Sequence, residues 1–195
     1  MNVELTTPLS EETVKKLNVG DVVYISGTIF GIRDATHRKM MDEGVPLPVS
    51  FENQVVFHTA PSVKEINGKY EVISTGPTTS TRVEKYIPEM LRRFHIRGIM
   101  GKGGLYQKET MEAMQIYPCV YLGMIGGAAA LTTVAIKEVE EVYWKDLFPE
   151  CIWQLRVERM GPMIVGIDTA GNNLYLDVKK NSQSRIDEIL GTPSS

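Results

Sequence analysis

The chain reads as one α/β domain with a mixed or parallel central sheet, and three strand-to-helix junctions predict it. A β-branched and aromatic run, Val22-Val23-Tyr24-Ile25-Ser26, leads through Gly27–Ile32 into Arg33 and a helix. A Gly76-Pro77 turn delivers Thr78, Thr79 and Ser80 to the start of an amphipathic stretch at Val83, Tyr86, Ile87, Met90 and Leu91. A third junction, Ile99-Met100-Gly101-Lys102-Gly103-Gly104-Leu105, separates a short apolar strand from a helix. Strands that alternate with helices favour parallel pairing.

The other elements follow in order. Ser10 caps a helix to Leu17, and Asp34 is placed to cap a helix through Arg38, Met40 and Met41 that stops near Gly44. Strands at Gln54–His58 and Tyr70–Ser74 flank an Asn67-Gly68 hairpin turn. Pro88 should split or kink its helix, because proline lacks the N–H that a helix interior needs. A helix from Gln107 to Gln115 precedes a buried strand at Val120–Gly123, and Gly126-Gly127 opens a helix from Ala128 to Ile136. Strands are expected at Ile152–Val157, Met163–Asp168 and Leu174–Val178, the last two joined at Gly171-Asn172. Residues 1–191 form the domain, with a disordered tail from Thr192.

Composition narrows the function. With 195 residues, 43% hydrophobic and 23% charged, the chain can bury about 70% of the surface its unfolded form exposes. A net charge of −3 without a basic stripe argues against general nucleic-acid binding. No apolar run approaches a membrane span and no signal pattern precedes the first strand, so the expectation is a cytoplasmic protein.

The three junctions also carry the candidate chemistry. Arg33 sits at the carboxyl end of a strand, where open α/β sheets bind ligands. A surface arginine paired with Asp34 or a nearby glutamate is the plainer alternative. Backbone N–H groups and the positive end of a helix dipole at Thr78–Ser80 suit a carboxylate or phosphate. Arg82 could add a forked contact, or it could be solvated while the threonines merely cap. Around Lys102 the glycines expose backbone and allow an anion close approach. This loop is not a P-loop, because Gly103 follows the lysine where a Ser or Thr would be needed. Two arginines, one lysine and two threonine hydroxyls suit a small dicarboxylate.

Taken in order, Arg33-Asp34-Ala35-Thr36-His37, Gly76–Arg82, Gly101-Lys102-Gly103-Gly104, Gly126–Leu131 and Asp146–Trp153 resemble the β subunit of class I fumarate hydratase and of its relative L(+)-tartrate dehydratase. The likeness runs roughly from Leu5 to Asp177. Ala35-Thr36 and Phe148-Pro149 depart from the usual family pattern without touching the cationic residues. The resemblance implies a swivelling β/β/α architecture and reversible addition of water to fumarate, giving L-malate. It implies a partner α subunit bearing a [4Fe–4S] cluster and an α2β2 assembly. It also implies that Arg33 and Arg82 clamp substrate carboxylates, Lys102 stabilises developing charge, Thr78 acts as base and Thr79 orients substrate. Arg82 counts as catalytic with Thr78 and Lys102 as well as substrate-binding, and Asp34 and His37 join the substrate-binding set, His37 positioning Asp34 or a carboxylate unless it is a satisfied structural histidine. L(+)-tartrate dehydration is the alternative reaction, and a free-standing ligand-binding module is the alternative class.

Cys119 and Cys151 sit in apolar strand contexts and read as core residues. Two such cysteines cannot hold an iron–sulfur cluster, so a separate chain must supply any cluster and this chain alone should be inactive. His37, His58 and His95 follow no metal-ligand spacing; His58 is expected to face out from its strand and His95 to end a helix. No metal ligand set is therefore assigned to this chain.

Overall fold

β1 (Asn2–Thr6) runs parallel beside β2 (Val22–Ile32), with the short helix α1 (Glu11–Val14) between them. Ser10 caps α1 as expected, its hydroxyl accepting from the Thr13 N–H. The structure is a computed structural model and describes residues 1–127 and 129–191, so the expected tail from Thr192 and the expected helix start at Ala128 lie outside the described residues. From β2 the chain enters α2 (Asp34–Met41), then β3 (Val55–His58) parallel to the far end of β2. A separate hairpin follows, β4 (Ser62–Ile66) and β5 (Lys69–Ser74), closed at Asn67 and Gly68 with positive φ at both. The turn is where the sequence puts it, but its first strand is Ser62–Ile66. Val55–His58 instead joins the main sheet, where both its faces are buried.

A 3₁₀ turn over Ser80–Tyr86 leads into α3 (Ile87–Phe94), and Pro88 occupies the first turn of that helix. Proline is tolerated there because that N–H has no intrahelical partner. The expected split at Pro88 is thus a change of helix type. β6 (Gly98–Gly101), α4 (Lys108–Ile116), β7 (Val120–Gly123) and α5 (Ala129–Ala135) come next. His95 ends α3 in the left-handed region, at φ 49°.

The C-terminal third departs from the sequence reading. β8 (Ile136–Tyr143) has no counterpart in it, because its exposed acidic positions obscure the alternation. The two expected strands at Ile152–Val157 and Met163–Asp168 are one 16-residue strand, β9 (Ile152–Ile167). Arg159, at φ 48°, and Gly161-Pro162 lie inside β9, and its register with β2 shifts beside them. A strand can absorb such residues as bulges, which locally mimic a chain break in sequence. Leu174–Val178 is no strand but the start of α6 (Leu174–Leu190). The buried Asn173 accepts from the N–H groups of Tyr175 and Leu176 at 2.9 and 3.2 Å, so an N-cap fixes the helix where the apolar Leu174–Val178 run suggested a strand.

The main sheet has the order β1-β2-β3-β6-β7-β9-β8, and β9 also pairs with β2. Strands β2, β3, β6, β7 and β9 therefore close in a barrel-like circuit, with β1 and β8 added outside it. The first five strands in this order run parallel, and β9 is antiparallel to β2, β7 and β8. Alternating side chains divide two cores. Ile29, Val55, Phe57, Trp153 and Leu155 pack in one. Phe30, Val56, Met40, Ile87 and Met90 pack in the other, under the helices. Each fully buried large apolar side chain contributes about 1.5–3 kcal/mol. The rigid strand ends so produced carry the Arg33 and Lys102 junctions.

Candidate active site

Arg33 leaves β2 with extended φ and ψ and occupies the N-cap position of α2. Asp34, expected as the cap, is the first helical residue, and its carboxylate points to arginines. It pairs with Arg82 through Nη2, accepts from Arg82 Nε at 3.3 Å, and lies 3.3 Å from Arg33 Nε. The cap comes from far along the chain: Glu150 Oε2 accepts from the Ala35 N–H at 2.8 Å. Glu150 Oε1 stands 3.4 Å from Arg33 Nε, and its carbonyl accepts from the Thr36 hydroxyl. Burial pushes the Asp34 pKa up, but the hydrogen bond and charge of Arg82, with help from Arg33, outweigh it and hold the carboxyl below its ordinary range. A cavity of about 350 Å³ opens here, lined among others by Asp34, Arg38, Arg82, Lys85, Tyr86 and Glu150. The larger groove of about 440 Å³ at Leu47–Glu52 and Arg93–His95 contains none of the candidate residues.

Thr78, Thr79 and Lys102 form a second group. The segment after Pro77 runs alongside the Lys102 loop as a short parallel bridge between Thr79 and Lys102. Lys102 N–H donates to the Thr78 carbonyl at 3.2 Å, and Ser80 N–H donates to the Lys102 carbonyl at 3.0 Å. The Ser80 N–H expected to face an anion is therefore already used. Thr79 takes the N-cap position of the 3₁₀ turn without a side-chain capping bond. Both threonines are half-buried, and among the described residues neither hydroxyl has a hydrogen-bond partner, nor has Lys102 a carboxylate. The Lys102 stem passes the second glycine-rich loop: a Cβ on Gly126 would lie 3.5 Å from its Cδ. That gives Gly126, read from sequence only as part of a helix opening, a place beside the lysine.

His37 lies beneath Arg33, fully buried, with Nδ1 2.8 Å from the Arg33 carbonyl. Burial drives its pKa down to about 4, against the opposing pull of that carbonyl, Asp34 and Glu150. His58 is not on an outward face as expected. It is buried, with Nδ1 2.9 Å from Ser80 Oγ and a pKa pushed well down by burial. β3 is covered on both sides, which removes the outward face that an alternating strand would have.

The structure thus places Asp34 and Arg82 on one cavity, with Arg33 paired to its Asp34 and Glu150 and His37 below, and sets Thr78 and Thr79 against Lys102. The Thr81-Arg82 step joins the two groups, and the Thr81 hydroxyl donates to the Gly104 carbonyl at 2.7 Å. Sequence reasoning missed Glu150, whose partners lie about 115 residues away, and Glu84. The latter is buried and accepts the N–H groups of Tyr106 and Gln107, anchoring the end of the lysine loop. No spacing rule marks either contact.

Arg33 and Lys102 follow the carboxyl ends of the parallel strands β2 and β6, with Thr79 bridged to Lys102, an arrangement that suits a small anionic ligand in an α/β protein. The family model described as "Fumarase C-terminus" matches residues 1–178, and the chain belongs to that family. It is 37% identical over 187 residues to the L(+)-tartrate dehydratase subunit beta of Escherichia coli K12, covering 95% of this chain and 92% of that one. The putative L(+)-tartrate dehydratase subunit beta of Methanocaldococcus jannaschii is 37% identical over 188 residues, covering 94% and 96%. A putative class I fumarate hydratase of Geobacillus stearothermophilus is 40% identical over 189 residues, which are 96% of this chain and 36% of that protein.

Proposed function

We propose that this chain is the β subunit of an iron–sulfur hydro-lyase that hydrates fumarate reversibly to L-malate. What supports the reading is a pair of groups, Arg33 and Arg82 on Asp34 and Lys102 bridged to Thr79, in a chain that belongs to the fumarase C-terminal family. L(+)-tartrate dehydration is the second reading. It is favoured by separate-chain relatives of that name that match this chain over 92–96% of their length.

The donor set of this chain does not fit a cluster. Cys119 and Cys151 are fully buried, Cys119 spends its thiol on the Val120 carbonyl, and burial raises both thiols, Cys151 to about 11. In this reading the [4Fe–4S] cluster belongs to the partner α subunit, in a cytoplasmic α2β2 assembly. Residues 1–191 act as one domain of the swivelling β/β/α type, and the tail from residue 192 is not needed for it.

The chain's own residues then divide the work. Arg33 and Arg82 bind substrate carboxylates, exchanging part of their contact with Asp34 and Glu150 for the ligand. Asp34 holds both arginines from the side, and His37 fixes the backbone of Arg33 from below. Lys102 stabilises charge that builds on the carboxylate as the C–H proton leaves, a contribution on the order of 3–4 kcal/mol for a preorganised group. Thr78 Oγ takes that proton. A hydroxyl is a poor base, so it depends on Lys102 and Arg82 to favour the alkoxide. Thr79 orients the substrate.

The test is anaerobic native co-purification from cells expressing the chain normally, with the eluate assayed on malate and on L-tartrate. The expected result is a brown complex active on malate. Preference for tartrate transfers the mechanism to the second reading, and a colourless, solitary, inactive chain overturns both.

A further inference from the structure

Behind the two halves of the site lies a buried polar chain that the mechanism above uses only at His37. Tyr121 OH lies 2.9 Å from the Gly103 carbonyl and 3.0 Å from Ser80 Oγ, and Ser80 Oγ lies 2.9 Å from His58 Nδ1. A carbonyl only accepts, so the single phenolic proton of Tyr121 goes to Gly103. Ser80 must then donate to the Tyr121 oxygen, and His58 Nδ1–H must donate to Ser80. The same logic applies to His37, whose Nδ1 faces the Arg33 carbonyl and must carry the proton. Each ring is left with a bare Nε2 lone pair.

Both Nε2 atoms are sealed from solvent without a protein partner, and the two rings meet edge to face with centroids 5.2 Å apart. We propose that Tyr121, Ser80, His58 and His37 are positioning residues, with both imidazoles in the Nδ1–H form. The network ties the Lys102-Gly103 loop to the Arg33 end of β2. Its catalytic consequence rests on the hydro-lyase reading; its proton arrangement does not.

The packing around Gly101 shows how closely the network presses on the loop. A Cβ at Gly101 would fall 1.9 Å from Ser80 Oγ and 3.2 Å from Tyr121 OH, so the first glycine of the lysine motif makes room for it.

Two measurements test the proposal. In the ¹⁵N-labelled full-length chain, long-range ¹H–¹⁵N correlation reads which ring nitrogen of each histidine is protonated, with a His95→Gln variant to remove the third ring. Protonated Nδ1 and bare Nε2 on both rings are expected, whether or not the chain has hydro-lyase activity. A proton on His58 Nε2 reverses the chain of donors and overturns the proposal. In the assembled enzyme, Tyr121→Phe and His58→Leu should each lower kcat/KM about tenfold, the loss of one well-placed hydrogen bond. His58→Asn, whose Nδ2–H can stand in for the ring Nδ1–H, should restore it to within about threefold of the parent. Equal losses in His58→Leu and His58→Asn, or full activity in Tyr121→Phe, overturn the positioning role.

Discussion

Lys102 has no carboxylate partner among the described residues, whereas Arg33 and Arg82 share Asp34, and Arg33 also lies beside Glu150. The two halves of the site thus hold positive charge in different ways. On the arginine side the charge is compensated within the chain, so a substrate carboxylate displaces an existing partner and the net gain per contact is small. On the lysine side the cation is held by a backbone bridge and has no internal competitor. A group arranged that way acts mainly on charge that appears during the reaction. In the proposed function, recognition then falls mainly to the Arg33–Arg82 half and chemistry to the Thr78–Lys102 half, with Arg82 supporting both.

The largest expected effect that can break this division is at the lysine. Lys102→Met should lower kcat in the assembled enzyme by on the order of 10²–10³, with little change in melting temperature because no ion pair is lost. Steady-state kinetics and a thermal melt check both parts, and a changed KM at constant kcat would move Lys102 to the recognition side.

Stability on the arginine side should depend on pH through His37, which is neutral in the fold with a pKa lowered from 6.5 to about 4. Between those values the unfolded chain binds a proton that the folded chain does not. The stabilisation is therefore complete above about pH 6.5 and is lost as pH falls toward 4, by about 3 kcal/mol. Urea titrations at stepped pH on the parent and on His37→Gln should show a flatter dependence in the variant.

Arg82→Gln should raise KM about tenfold with a smaller change in kcat, the loss of one charge-assisted contact to bound substrate. Michaelis curves on whichever substrate the enzyme accepts decide it. Asp34→Asn is expected to be the mildest change. Its carboxylate is about a third exposed, so losing it should cost about 0.5 kcal/mol after solvent screening. Because its folded pKa is lowered, that contribution is present above the ordinary carboxylate range and fades as pH falls through it. Denaturant melts at pH 7 and pH 3 should differ for the parent by more than for the variant.

Much of this was legible in the sequence where local chemistry decides the outcome. Ser10, the Asn67-Gly68 turn, Val120–Gly123 and the strand-to-helix position of Arg33 all depend on neighbours within a few residues. The parts that were not legible depend on partners far along the chain. Glu150, not Asp34, caps α2, and no local signal shows which acid will do so. His58 is turned inward by a sheet that covers both faces of β3. β9 continues through Arg159 and Gly161-Pro162 because β2, β7 and β8 hold it on its two edges. α6 was misread because a run of Leu and Val suits either structure, and only the buried Asn173 cap decides between them.

The most direct test of the division is a comparison of kcat and KM for Thr78→Ala and Thr79→Ala in the anaerobically assembled enzyme. If Thr78 takes the proton, Thr78→Ala loses kcat by on the order of 10²–10⁴ with KM little changed, while Thr79→Ala acts mainly on KM. Near-normal turnover with a raised KM in Thr78→Ala would contradict this, placing the base on the partner and leaving both halves of this chain's site to binding.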